Sequence, residues 1–401
     1  MLSTWLAMRR PEGALKALDG FRAIAIMLVV ARHGIRPLWV TGEGFAPIGS
    51  WDLGIPAING WGGVDMFFVL SGFLITIHIT KRYPDGIDRA AFRNYAYRRA
   101  MRIFPAYAAT IGIVVLGLIP GYSIAREGLG FRVLYHLLFL QDYLPSDLVV
   151  VFWTLGVEEK FYLIAPFVLM ALRRVDSAGT QYAIIAGLAL IPIGLRIANS
   201  AQGVSDVSYI AFFTDVRSPA HLTYDGLAVG MLCGLLYQQR NRVTSEQLRV
   251  IGHAAFTGGL LIFGGLLFGW PLLDEVGTFD RTVLQAILAW SAGAMLLGLV
   301  FGGGPVRLLS ASWLFVVSRL SYSWYLMHLL VVPLSIQLSG VTPDSGIDTV
   351  ATYASIYLAS SLLLAVCLHY AVEVPFLMWR DRHRTPPTPA DSSIPTPAEA
   401  R

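Results

Sequence analysis

Two adjacent carboxylates, Glu158 and Glu159, lie within Phe152-Trp-Thr-Leu-Gly-Val-Glu-Glu-Lys-Phe-Tyr-Leu-Ile-Ala-Pro-Phe-Val-Leu169, a stretch otherwise fit for lipid. An ionisable group at membrane depth is costly unless it faces a cavity or a partner, so its default reading is functional. His33, Asp65, Asp225, His328 and Glu373 repeat the pattern in or beside other apolar runs. Carboxylates and imidazoles exchange protons, which suits acid–base catalysis or a proton relay. A different chemistry is offered by Arg98, Arg99 and Arg102, which precede Ile-Phe-Pro-Ala-Tyr. Guanidiniums on neighbouring helical positions donate forked hydrogen bonds to phosphate oxyanions. On spacing alone, a plain cytoplasmic anchor explains them equally well.

Positioning these groups falls to an apolar chain. Of 401 residues, 55% are hydrophobic and 14% charged, and mean hydropathy is +0.60. Soluble domains carry roughly a quarter charged residues, so the excess apolar surface must face lipid. The pattern predicts about ten membrane-crossing helices, near 18–40, 61–80, 104–121, 149–172, 181–199, 222–238, 251–270, 282–301, 312–338 and 350–373. The runs at 131–140 and 209–213 are too short to span and read as interfacial or re-entrant pieces. With the N-terminus inside, 22 of the 30 basic residues fall on the cytoplasmic side, as the positive-inside rule requires. The expected class is therefore an all-α polytopic protein of the cell inner (plasma) membrane, with both termini cytoplasmic. The basic balance, with a pI near 9.0, serves topology and does not indicate nucleic acid. The first apolar run follows Arg9, Arg10 and Lys16, lacks a clean cleavage site and reads as a retained helix. Cys233 and Cys367 both lie in apolar runs and suggest neither a disulfide framework nor a metal site. Residues 1–380 form one membrane domain, and the Pro/Ser/Thr-rich segment 381–401 reads as a disordered cytoplasmic tail.

Helical rise gives depths. Arg22 and His33 are about 16 Å apart along the first helix and return to nearly the same face. By the same count Glu158, Asp65, His221, Asp225 and His328 fall at outer or middle depth, where they are expected to converge with His33 on one pocket.

At these residues the chain resembles the acyltransferase-3 family, integral-membrane enzymes that move acetyl or related groups from acyl-CoA to hydroxyls. The resemblance is carried by Leu18-Asp-Gly-Phe-Arg22…Arg32-His33, similar to an Arg-x10-His signature, and by Gly63-Val-Asp65-Met-Phe-Phe-Val-Leu-Ser71-Gly72. It continues through Arg98-Arg99-Ala-Met-Arg102, Trp153-Thr-Leu-Gly-Val-Glu158-Glu159-Lys-Phe-Tyr162, Ser321-Tyr-Ser-Trp-Tyr325-Leu-Met-His328 and Glu373-Val-Pro375. Two departures stand out: Thr223 occupies a place where an arginine is common, with Arg217 nearby, and Lys160 stands where many relatives have Gln. The likeness is to stand-alone members that lack a C-terminal hydrolase-like domain.

The resemblance implies acetyl-CoA, or another acyl-CoA, as donor substrate with no permanently bound cofactor and no metal. The acceptor would be a hydroxyl of a sugar, glycan or small natural product. An imidazole titrates near neutrality, which makes His33 the expected general base. Glu158 is the expected carboxylate orienting it. Arg22, Arg98, Arg99 and Arg102 are expected to hold the CoA phosphates, and Asp65, Glu159, Asp225 and His328 to line the pocket. Duller readings stand beside these. A lone intramembrane histidine often ties helices together, Glu159 can pair with Lys160 or an arginine, and Asp19 can be an N-cap. Gly62, Gly63 and Gly72 suit close helix approach. Tyr322, Trp324 and Tyr325 suit packing or an interfacial belt, and Glu373 suits a tie to the nearby arginines. The tryptophans around 41–60 read as an aromatic belt before a sugar platform. The competing classes are a proton-coupled transporter, which the lack of an inverted repeat disfavours, and a non-catalytic membrane partner.

Overall fold

The computed structural model describes residues 15–40, 45, 47–48, 51–52, 54–84, 86–201, 207–269 and 275–382. Of the expected 381–401 tail, residues 381 and 382 belong to a helix that ends at Arg382 and the rest lies outside the described residues, as do Arg9, Arg10 and most of the 41–53 loop. Helix dominates. The principal elements are α1 (Ala17–Ile35), α2 (Gly62–Arg82), α3 (Arg89–Val115), the short α4 (Leu129–Leu137), α5 (Trp153–Leu172), α6 (Ala178–Ser200) and α7 (Asp225–Gln238). They continue with α8 (Ser245–Gly269), α9 (Gln285–Val300), α10 (Ser312–Met327), α11 (Val332–Ser339), α12 (Ile347–Leu368) and α13 (Val374–Arg382). Strand structure among the described residues is limited to two antiparallel ladders, Pro47–Ile48 with Trp51–Asp52 and Val207–Ser208 with Glu275–Val276. The protein is an all-α polytopic membrane protein.

Among the described residues, six helical segments are long and apolar enough to cross a membrane: Gly54–Arg82, Ala178–Ser200, Ser245–Gly269, Asp280–Val300, Ser312–Ser339 and Ile347–Arg382. The helices α1, α3, α5 and α7 fall short of that standard for a chemical reason. Within them sit Asp19, Arg22 and Arg32; Arg98, Arg99 and Arg102; and Glu158, Glu159 and Lys160, while α7 has only 14 residues. The outer helices α6 and α8 instead present Ile184, Leu190, Ile191, Leu260, Leu261 and Ile262 outward, as lipid-facing helices should.

Inside the bundle, α1 packs against α2 and α10 and is bonded by two tyrosines of α12. Tyr353 and Tyr357 of α12 donate hydroxyl hydrogen bonds to the Gly34 and Val30 carbonyls, at 2.8 and 3.0 Å. Asp19 lies in the first turn of α1 and not at its cap, which is Lys16. A tight crossing joins α2 to α7, whose Gly226, Gly230 and Gly234 recur every fourth residue on one face. A Cβ at Gly230 would come within 2.1 Å of the Val69 carbonyl oxygen, and one at Gly72 within 2.0 Å of the Leu227 oxygen. Those contacts are backbone, which cannot move aside as a side chain can. Gly230→Ala is therefore expected to push α2 from α7 and cost about 1–3 kcal/mol, measurable as a lowered unfolding temperature in detergent. An unchanged unfolding temperature would show that the crossing tolerates separation.

Among the described residues, three π-turns interrupt the helices, at Phe213–Arg217, Asp280–Leu284 and His369–Glu373. Such bulges re-aim side chains and recur at functional sites. Here each lies at or next to a buried polar group: Arg217, Gln285 and Glu373. The run at 131–140 forms α4 and the turn after it, with Phe131, Leu134 and Leu138 exposed and Tyr135 and His136 buried. After α4 the chain enters the protein interior through a non-helical stretch and a single 3-10 turn, Val150–Phe152: Leu148, Val149 and Phe152 are fully buried before α5 starts at Trp153.

Candidate functional site

Two cavities lie back to back inside the bundle. The first, of about 120 Å³, is lined by Arg22 of α1, Ser71 of α2, Arg99 and Arg102 of α3, and Glu158 and Tyr162 of α5. The Ser71 hydroxyl donates to Glu158 Oε1 at 2.8 Å, and the Arg99 guanidinium lies 5.0 Å from the centre of the Tyr162 ring. Three guanidiniums from two helices thus face one carboxylate. Together they leave an excess of positive charge, suited to an anion carrying several phosphates.

The second cavity, of about 360 Å³, is lined by His33 together with Arg32, Arg36, Arg217, Trp61 and Trp153, among others. A backbone carbonyl can only accept, so the 2.9 Å contact from His33 Nδ1 to the Val29 oxygen puts the proton on Nδ1. The same Nδ1–H faces Nε2 of His328 at 3.2 Å, while His328 Nδ1 donates to the Trp324 oxygen at 3.0 Å. Both tautomers follow from this chain of bonds. His33 Nε2 therefore carries a lone pair, and no hydrogen bond engages it among the described residues. The site offers a base held in place by a second imidazole.

Val64 and Tyr325 line both cavities. The Tyr325 hydroxyl meets Thr154 Oγ1 at 2.7 Å and the Val151 oxygen at 2.8 Å, so the ring is pinned as a partition between them.

Behind Trp61 and Trp153 runs a buried ionic network. Arg217 donates two hydrogen bonds to the Asp65 carboxylate, at 3.0 and 2.9 Å, and its guanidinium lies over both indole rings at 5.2 and 5.4 Å. Arg196 pairs with Asp225 at 2.9 Å and also donates to the Leu222 and Thr282 carbonyls. Gln285 Oε1 lies between the two arginines, 3.3 Å from Arg217 and 3.4 Å from Arg196. All five polar side chains are buried.

A comparison with family models matches an acyltransferase domain, that of the acyltransferase-3 family, to residues 15–370. The chain belongs to the acyltransferase-3 family. Among similar proteins, the peptidoglycan O-acetyltransferase OatA of Listeria monocytogenes is 24% identical over 363 residues, covering 86% of this chain and 54% of that protein. A Bacillus subtilis protein, YrhL, provisionally named a peptidoglycan O-acetyltransferase, is 25% identical over 340 residues, covering 80% and 49% respectively. A Staphylococcus aureus (strain COL) protein provisionally named an O-acetyltransferase is 25% identical over 343 residues, covering 79% and 50%. The chain thus spans about half the length of the curated relatives it matches. No solved structure matches it at a significant level.

In this acyltransferase-3 chain the expected site residues divide between several places. Arg22, Arg99, Arg102 and Glu158 share the first cavity, and His33 and His328 meet at the second. Arg98 is not with its neighbours; it faces Asp381 at 3.6 Å. Asp65 and Asp225 are held in ion pairs and do not reach His33. Among the described residues Glu159 Oε1 is buried without a hydrogen-bond partner, and Lys160 bonds instead to Asp142, at 2.5 Å, and the Phe139 oxygen. Glu373 accepts from Ser323 at 2.9 Å and contacts His369 at 2.8 Å. His221 stacks on Tyr143 at the surface.

The largest correction concerns Glu158. Counting from an outer end near 149 puts it level with His33, yet it bonds Ser71, six residues and about 9 Å further along α2 than Asp65. The reason is the approach through 148–152, where Leu148, Val149, Val151 and Phe152 are buried and Val150–Phe152 form a 3-10 turn, so position 149 is not the exposed outer end that the count assumes. Sequence reasoning missed Tyr325 as a partition, Ser71, Arg32 and the Arg217–Asp65 pair. The displaced arginine at 217, beside Thr223, was the one available signal. Among the described residues no cluster of three or more His, Cys, Asp or Glu is placed to hold a metal ion.

Proposed function

We propose that this protein is a membrane-bound O-acyltransferase that takes an acetyl or related acyl group from acyl-CoA and delivers it to a hydroxyl of a glycan or other sugar-like acceptor. The observation carrying this reading is that an arginine-lined cavity and a histidine-bearing cavity share two lining residues, Val64 and Tyr325. Arg22, Arg99 and Arg102 hold the CoA phosphates at the cytoplasmic mouth, with Glu158 as their counter-charge. The pantetheine arm spans the roughly 16 Å of helical rise between Arg22 and His33 and brings the thioester to the Tyr325 partition. His33 Nε2 removes the acceptor hydroxyl proton as the oxygen attacks the thioester carbonyl carbon. The C–S bond then breaks, and the imidazolium returns the proton to the leaving thiolate. His328 accepts from His33 Nδ1–H and orients the base. The names of OatA and YrhL favour acetyl as the group and a cell-wall glycan as the acceptor, with both termini of this chain in the cytoplasm of an inner membrane. The ion pairing of Asp65 and Asp225 weighs against a transporter, whose proton relay would need such carboxylates available.

The test is acetyl-CoA turnover by purified protein in detergent. Arg99→Gln and Arg102→Gln are each expected to raise the KM for acetyl-CoA about tenfold or more while changing kcat far less, as loss of a charge-assisted phosphate contact requires. Folded wild-type protein that neither binds CoA nor consumes the thioester would sink the reading.

A further inference from the structure

Among the described residues, the lining of the His33 cavity includes Arg32, Arg36 and Arg217 but no aspartate or glutamate. Asp65 lies behind one of these arginines and neutralises Arg217 alone. Arg32 is different. It is 5% exposed, one of its nitrogens donates to the Ile58 carbonyl, and its guanidinium lies 5.3 Å from the centre of the Tyr209 ring. No carboxylate stands within ion-pair distance of it among the described residues. A guanidinium brings five donors and a permanent charge, and burying it without a counter-ion is costly. A fold that keeps such a group beside its base has a place for an anion there.

The aromatic walls narrow the class of that anion. Trp61, Trp153, Tyr209, Phe213 and Tyr325 line the same cavity and offer flat apolar faces of the kind that pack on the C–H face of a sugar ring. Arg36 stands one helical turn beyond Arg32, on the outward side of the same face. The geometry points to an acidic acceptor: a sugar carrying a carboxylate or phosphate that Arg32 grips while a neighbouring hydroxyl faces His33 Nε2. This assignment rests on the reading of the His33 cavity as the acceptor site and specifies its substrate class. The adjacency of Arg32 and His33 in sequence then has a purpose, since one residue fixes the anion and the next takes the proton.

Binding tests this without requiring turnover. D-glucuronate, its uncharged methyl ester, glucose 6-phosphate and glucose would be titrated against the full-length protein in nanodiscs, with saturation-transfer NMR as the readout. At least one acid is expected to bind about tenfold tighter than its neutral counterpart, the increment of one charge-assisted contact. Tighter binding of glucuronate alone names a carboxylate acceptor, and of glucose 6-phosphate alone a phosphorylated one. Arg32→Gln should reduce the preference to within about twofold, and Arg32→Lys should restore part of it. Equal binding of acid and neutral partner by the wild type, or no binding of either, overturns the assignment, even if Arg32→Gln fails to fold. Preference lost in Arg102→Gln but kept in Arg32→Gln would place the anion in the CoA cavity and overturn it too. Acetyl-CoA turnover, measured separately, reports on the acyltransferase reading itself.

Discussion

Replacing His33 with alanine will lower the acyl-transfer rate by about 10²–10⁴-fold, the usual worth of a positioned general base, while CoA binding is retained. The expectation follows from the hydrogen-bond chain. Its Nδ1–H is committed to Val29 and His328, so Nε2 alone is presented to the cavity. His328→Ala will cost less, because it removes the residue that steadies the ring and leaves the base in place. A His328→Gln variant retains a side-chain acceptor for the His33 Nδ1–H and should recover part of the loss. Single-turnover kinetics with radiolabelled acetyl-CoA separates these effects from donor binding. Comparable turnover in wild type and His33→Ala, with both folded, would remove His33 from the chemistry.

The second large effect is expected on folding. Asp225→Asn leaves the Arg196 guanidinium buried without its counter-charge, and both side chains are fully inaccessible. Breaking a buried pair from one side costs about 3–5 kcal/mol, whereas replacing both partners with apolar residues of similar size is far milder. Unfolding of Asp225→Asn in detergent should therefore occur at markedly lower temperature, and Arg196→Met with Asp225→Leu should recover most of the difference. If the single variant melts like wild type, the pair is not holding α6 to α7.

Much of this architecture was legible. Long apolar runs such as 181–199 and 251–270 became α6 and α8 with small boundary shifts, since a lipid-facing helix must be apolar over a bilayer's thickness. Arg22 and His33 were readable as two ends of one stripe because helical rise and twist depend on nothing outside the helix. Glu158 was not, because its depth depends on how the chain between α4 and α5 enters the protein, and no periodicity records that path. Arg217 was equally hidden. A π-turn of five residues, Phe213–Arg217, aims it at Asp65, 152 positions away in sequence. The His33–His328 contact joins residues 295 apart; their depths led to the expectation of a shared pocket, but not of a direct hydrogen bond.

The Tyr325 partition carries a kinetic consequence under the proposed reading. Donor and acceptor enter by separate doors, so neither has to leave before the other arrives. Spent CoA leaves by the door through which it came, and only the two-carbon cargo passes the ring. Such a layout needs no fixed order of addition. It also keeps a costly, highly charged carrier on the side of the membrane where it is made, while its acyl group is handed outward.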